Sequence, residues 1–260
     1  MIEFYNYSLL TIFVVALSVM LVSSEIGRRL ARRGIGRDRG TASISTLEGA
    51  IYTLLALMIG FTFAVALSRF ESRRDAVLNE ANAIGTTALR ARLLPEPHRT
   101  EALKLLQEYV KIRLDITQRP VSATELTTTI ERSNAIQESL WRQAMAVAAK
   151  DNGMVPTGLF IQTLNEMIDN QEKRLTAFRS HVANIALLAL LTLATISSGF
   201  AGYANGLENQ RRRLPILITA LVLTGVILLI MDVDRPRTGF IEVSQQPMID
   251  TAASIAAYAH

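Results

Sequence analysis

The sequence predicts an all-α membrane protein with four transmembrane helices and an extramembrane helical bundle continuing from the second and third spans. Three observations carry that prediction. Half of the chain is hydrophobic (50% of 260 residues) and mean hydropathy is positive, +0.26, yet the apolar residues gather in blocks, which is a membrane-protein distribution. Residues 50–67 carry no charge, a run long enough for a helix to cross the hydrocarbon core of a bilayer. The basic residues cluster at the ends of the apolar blocks, where orientation signals belong.

The first apolar block, 5–23, is preceded by Glu3 and by no Lys or Arg. A cleavable signal peptide starts with positive charge and ends at a small-residue site, so a retained membrane helix is expected. Arg28, Arg29, Arg32, Arg33, Arg37 and Arg39 follow, interrupted by Gly34, Gly36 and Gly40. They read as a short basic loop on the cytoplasmic side. The second span, 49–67, carries Gly49, Thr53, Ala56, Gly60 and Ala64 every three or four positions, a single small-residue stripe that another helix could approach closely. Beyond Arg69 the apolar positions Phe70, Val77, Ala81, Ile84 and Ala88 continue at helical spacing between charges. One helix, half in lipid and half in water, is expected. Arg69, Arg73 and Arg74 at its outer end oppose the orientation and are outnumbered.

Between 69 and 181 no further span occurs, and turn signals fall at Pro95 and Pro97, at Arg119-Pro120 and at Asp151-Asn152-Gly153. Leu103, Leu106, Val110 and Leu114 mark one amphipathic helix; Leu126, Ile130, Gln137, Leu140, Ala144 and Val147 mark another. Pro156, suited to a first helical turn, opens a fourth pattern: Phe160, Leu164, Met167 or Ile168, Gln171, Leu175 and Phe178. That pattern reaches the third apolar block with no breaker, so a four-helix bundle rooted in the membrane is expected. Trp141, Gln137 and Gln171 read as packing or interhelical hydrogen-bonding groups.

The third span, 182–203, has Thr192, Thr195, Gly199 and Gly202 along one side, and Asn205-Gly206 ends it. Arg211, Arg212 and Arg213 precede the fourth span, 214–231, with Pro215 in its first turn. The expected organisation is 1–68 for the first two spans and their basic cytoplasmic loop, 69–181 for the extramembrane bundle, 182–231 for the last two spans and 232–260 for an extramembrane tail. Both basic loops place the termini and the bundle outside the cytoplasm of a plasma (inner) membrane.

Chemistry is thinly provided. The chain has no cysteine, which excludes disulfides and thiolate sites. Its 3 histidines, His98, His181 and His260, lack a second ligand at metal spacing. No phosphate loop, nucleophile elbow or zinc-protease helix is present. No cofactor, metal site or catalysis is expected. A formal charge of +4 and a pI near 9.6 come without a basic patch interleaved with aromatics, so no nucleic acid is expected as partner. Glu48, Asp232 and Asp234 are the ionisable groups nearest the hydrocarbon, and both interfacial solvation and a functional role stay open for them. Asp232-Val233-Asp234-Arg235 reads as a self-contained ion pair closing a helix end.

Two stretches carry a resemblance: Glu80-Ala81-Asn82-Ala83-Ile84-Gly85-Thr86 with Leu89-Arg90, and Asp232-Val233-Asp234-Arg235-Pro236 with Gly239 and Val243-Ser244-Gln245-Gln246-Pro247. They resemble the two signatures of the bacterial bestrophin-like domain family, four-span membrane proteins long listed as a domain of unknown function. The resemblance extends from Glu48-Gly49 to Pro247 and implies kinship with bestrophins, which are pentameric anion channels with a hydrophobic neck in the pore helix. The bestrophin neck motif is not found in 49–67, and the orientation read from the arginines differs from bestrophin's large cytosolic domain. The motif residues Glu80, Asn82, Gly85, Thr86, Arg90, Asp232, Asp234, Arg235, Pro236, Gly239, Ser244, Gln245 and Pro247 are expected to be structural. Glu80, Asn82, Thr86 and Arg90 are expected to form a polar network with the fourth bundle helix or the tail.

The functional expectation is an oligomeric integral membrane protein, an ion channel whose second span lines the pore through Thr53, Ala56, Gly60 and Ala64. Glu48, Arg69 and Arg73 are the expected mouth charges. The partners are then the lipid bilayer, further copies of the chain and an inorganic ion, an anion by analogy. The alternative is a non-conducting sensor or assembly protein that presents the helical bundle to a partner.

Overall fold

A computed structural model describes residues 4–34, 41–118, 123–151, 153–207, 213–236 and 239–258. Among the described residues the regular elements are all helical: a 3-10 turn at Phe4–Asn6, α1 (Leu9–Arg32), α2 (Thr41–Ala91), α3 (His98–Gln118), α4 (Ala123–Ala148), a π-turn at Met154–Gly158, α5 (Leu159–Arg179), α6 (Asn184–Leu207), α7 (Arg213–Asp234) and α8 (Gln246–Ala257). The chain divides into two compact units. The first is Met1–Arg69, His181–Arg235 and Gly239–Ile241; the second is Phe70–Ser180, Pro236–Thr238 and Glu242–His260.

In the first unit, α1 starts where the Ser8 hydroxyl accepts a hydrogen bond from the Thr11 amide at 3.1 Å, satisfying an orphan donor of the first turn. Contrary to the expected loop, Arg28, Arg29 and Arg32 lie within α1. Glu25 keeps that end helical by pairing one turn along, to Arg28 Nη2 at 2.5 Å and Arg29 Nε at 2.9 Å. The helix ends at Gly34, which takes a positive φ of 78°. Arg37, Arg39, Arg211 and Arg212 lie outside the described residues.

Helices α1 and α6 meet backbone to backbone. A Cβ at Gly27 would collide with the Gly199 carbonyl oxygen, and one at Gly202 with that of Ser24. The Ser23 hydroxyl donates to the Thr195 carbonyl at 2.8 Å. Small residues are how membrane helices gain dispersion contacts when lipid is as apolar as their side chains. Helix α7 adds Ala220, Thr224, Ile227 and Ile230 to this interior. Leu10, Val14, Val22, Ile185, Leu214 and Val222 point outward, and so broad an apolar surface fits a hydrocarbon solvent rather than water. Among the described residues four helices are long and apolar enough to cross a membrane.

The second unit buries Ile84, Ala88, Leu106, Tyr109, Leu140, Phe160, Leu164 and Met167 from the rest of α2 and from α3, α4 and α5. The end of the tail, given no helix in the sequence reading, forms α8, with Pro247 in its first turn. Met248 and Ile255, seven residues apart on one face, enter the same core. The Thr251 hydroxyl lies 3.3 Å from the Ala81 carbonyl. The bundle is thus closed by a helix that the four-helix expectation lacked.

A further correction concerns α5 and α6, expected as one unbroken helix. Residues 180–183 interrupt it, with Ser180 extended at φ −81° and ψ 123°. The break has a local cause: the Val182 amide donates sideways to Asp234 Oδ2 at 2.8 Å instead of to a carbonyl one turn back.

Candidate functional site

The open face of α2 comes first. Thr53, Ala56, Gly60 and Ala64 are all exposed, while Leu55, Thr62 and Ala66 turn into the unit. Nothing stands within 4 Å of where a Cβ would lie on Gly49 or Gly60. The Thr53 hydroxyl is satisfied within its own helix, donating to the Gly49 carbonyl at 2.9 Å. Among the expected mouth charges, Glu48 is half-buried and Arg69 exposed. Arg73 departs from that role. It is 5% exposed and points to the Ser180 carbonyl at 3.4 Å, just past the end of α5, where a cation complements the helix dipole.

In the second unit Glu80 is fully buried and gathers two guanidinium groups. Arg113 grips it with Nε at 2.8 Å and Nη2 at 3.3 Å, and Arg174 with Nη1 at 2.5 Å. Arg174 Nη2 continues to Gln245 Oε1 at 2.9 Å, so the second signature reaches the first through α5. The Tyr109 hydroxyl stands 3.1 Å from Glu80 Oε1 and 2.7 Å from Gln171 Oε1. Gln171 also accepts from Gln137 at 3.1 Å and donates to Asn134 at 2.8 Å. Burial alone would raise the Glu80 pKa, but Arg113 and Arg174 outweigh it and hold the carboxyl below the usual carboxylate range. Burial, then the neighbouring Glu80 charge, pushes the Tyr109 phenol up, so it remains a neutral donor. This is a sealed ion triad capped by amides. It can fix helix register but offers no nucleophile or open coordination position.

Of the other first-signature residues, Arg90 donates to the Leu159 carbonyl at 2.8 Å, and Gly85 faces Thr251 of α8, whose Cγ2 would lie 3.8 Å from a Cβ there. Thr86 is half-buried. Asn82 is exposed on α2 and stands away from the Glu80 cluster, because positions two residues apart on a helix point about 200° apart. Trp141 packs against the bundle core.

The second signature ends α7. Its ion pair is not self-contained, since Asp232 serves the tail while Asp234 and Arg235 both reach the N-terminal turn, Asp234 holding Val182 as well. Asp232 accepts from the Phe240 amide at 2.8 Å and the Ile241 amide at 3.1 Å. A Cβ on Gly239 would collide with the same carboxylate, so glycine is required there. Asp234 accepts from Val182 and from the Tyr5 hydroxyl. Tyr5 also stacks on His181 at 4.5 Å between ring centroids. Arg235 donates to the Tyr7 carbonyl at 2.5 Å. Pro236 is half-buried, and Ser244, exposed, accepts from the Gln246 amide at 3.3 Å. The bonds of Asp234 and Arg235 tie the N-terminal turn, the start of α6 and the end of α7 together within the first unit.

Tyr109, Arg113 and Arg174 were not singled out from sequence, although a signal existed. Arg113 falls three residues after Val110 and seven after Leu106, on the apolar stripe of α3, and a charge on a buried stripe demands a partner. Tyr5 and His181 left no such signal. Among the described residues no group of three or more His, Cys, Asp or Glu side chains gathers to hold a metal. His98 instead meets Gln143 Oε1 at 2.7 Å, and His260 is outside the described residues.

The family model described as the Bestrophin-like domain matches residues 10–248. No curated protein sequence matches the chain. Among solved structures, a mutant of a bacterial Bestrophin homolog from Klebsiella pneumoniae is similar with a TM-score of 0.70 at 14% identity, covering 95% of this chain and 98% of that one. A crystal structure of such a homolog from the same organism, phased on zinc, gives 0.69 at 14% identity, covering 96% and 98%. At that identity the likeness speaks for the all-helical fold.

Proposed function

The chain belongs to the bestrophin-like domain family, and from that premise we propose that it is an oligomeric, non-enzymatic membrane protein that conducts an inorganic anion along a pore lined by α2. The observation that carries the reading is the open face of Thr53, Ala56, Gly60 and Ala64, which the protomer itself leaves uncovered. Copies arranged about an axis would cover it from the sides and leave its small residues facing a conduit. The mouths would then carry Glu48 at one end and Arg69 at the other, and charges at a mouth bias selectivity. Arg73, buried at the end of α5, has no part in this.

The proposed setting is the inner membrane. Arg28 of α1 and Arg213 of α7 border one cleft and so share an end of the first unit, which supports reading both basic ends as cytoplasmic. The bundle and both termini are then extracytoplasmic. A phosphatase-type reporter fused after His260, active only when exported, should be active; a cytoplasmic signal there inverts the topology.

The test of conduction uses the absence of native cysteine. A cysteine at Thr53, Ala56, Gly60 or Ala64 should react with a water-soluble thiol reagent in the assembled protein and block anion flux in liposomes. Protection of all four positions, with no flux from the parent, leaves the second reading, a sensor or assembly protein presenting the bundle. That reading draws on the number of helices the chain commits to the bundle.

A further inference from the structure

The first unit contains a cleft of about 450 Å³ between the ends of α1, α6 and α7, a volume in the range of ligand sites. Its lining changes character along the helices. At one end stand Arg28 and Arg213 with Ser24 and Glu25; deeper along the same helices stand Leu21, Ile216 and Leu217. From Arg28 back to Leu21 is seven residues, about 10 Å of helix, and from Arg213 to Leu217 four residues, about 6 Å. The charge is unbalanced at the polar end. Among the lining residues Glu25 is the one carboxylate and pairs with Arg28, so Arg213 leaves one cation in excess.

We propose that this cleft seats one anionic phospholipid per protomer, its phosphodiester between Arg213 and Arg28 and the start of an acyl chain along Leu21, Ile216 and Leu217. Guanidinium forks match phosphate oxygens by paired, charge-assisted hydrogen bonds. Basic pockets between membrane helices are where anionic headgroups bind. The apolar depth selects a lipid over a free phosphate, which would occupy only the rim and leave the leucine wall uncovered. The cation excess selects an anionic over a zwitterionic lipid. The site depends on the membrane-spanning fold and not on conduction, so the two ideas can fail separately.

The test is native mass spectrometry of the full chain, extracted from bilayers of equal phosphatidylglycerol and phosphatidylcholine. One phosphatidylglycerol per protomer should be retained, at least about tenfold over phosphatidylcholine. Arg213→Ala should cut that preference about tenfold, the scale of one charged hydrogen bond. Leu217→Trp, which fills the depth and keeps every charge, should lower retention of phosphatidylglycerol with melting unchanged, and so decides the matter even if Arg213→Ala folds poorly. Arg142→Ala, an exposed arginine of the bundle, should change nothing. Equal retention of the two lipids, full retention in both cleft variants, or displacement of the lipid by millimolar inorganic phosphate would overturn the proposal.

Discussion

The two parts of α2 are one helix in two chemical situations. In the second unit its polar residue Glu80 is wholly buried and answered by Arg113 and Arg174. In the first unit its small residues stand exposed, with nothing near Gly60. The stripe on α6 sharpens the contrast, for Gly199 and Gly202 have the same composition but lie against the α1 backbone. A small-residue stripe therefore has two uses here. On α6 it is consumed inside the protomer; on α2 it is left for a neighbour, for lipid or for a conduit.

Removing the carboxylate at Glu80 should have the largest effect. Glu80→Ala strands two buried guanidiniums and should cost about 3–5 kcal/mol, read as a large fall in melting temperature of the purified protein. Little change would mean that the cluster is open to water and the contrast with the membrane part is false. Next comes Gly202→Val, which forces α1 and α6 apart and should cost about 3 kcal/mol. Melting in detergent would reveal it, and wild-type stability would show that α6 is no more closely packed than α2.

Acid should expose the triad more gradually. Because the folded Glu80 pKa lies below its unfolded value, its contribution is complete above the ordinary glutamate value of roughly 4.3 and is lost as pH falls through the folded one. The melting gap between wild type and Glu80→Gln should thus narrow only in that acid range; a gap narrowing near neutrality would contradict the sign. The smallest effect belongs to Gly60→Ala, which should leave protomer stability within about 0.5 kcal/mol. Its consequence should appear in oligomer formation or flux instead, and a protomer that melts early would show that the stripe is packed after all.

Much of this was readable in one dimension. Four spans follow from uncharged runs matched to bilayer thickness, because hydrocarbon penalises any charge or unpaired backbone within it. The amphipathic bundle helices and the hydrogen-bonding roles of Gln137 and Gln171 follow from helical spacing, a local property. Even α8 was legible in hindsight through Met248 and Ile255, though a short tail after a Pro and a Gly reads as coil without its partner surface.

What the tertiary structure alone decided is partnership. Periodicity says that Gly60 and Gly202 each lie on a small face, and it cannot say which face has a helix across it, since composition is the same whether the neighbour is backbone, lipid or nothing. Nor could spacing pair Glu80 with Arg113 and Arg174, send Asp232 to the tail, or send Asp234 and Arg235 to the N-terminal turn. Those bonds join residues up to 231 positions apart. They exist because burial leaves a charge or an amide no water to turn to, and which group supplies the substitute is set only when the helices have packed.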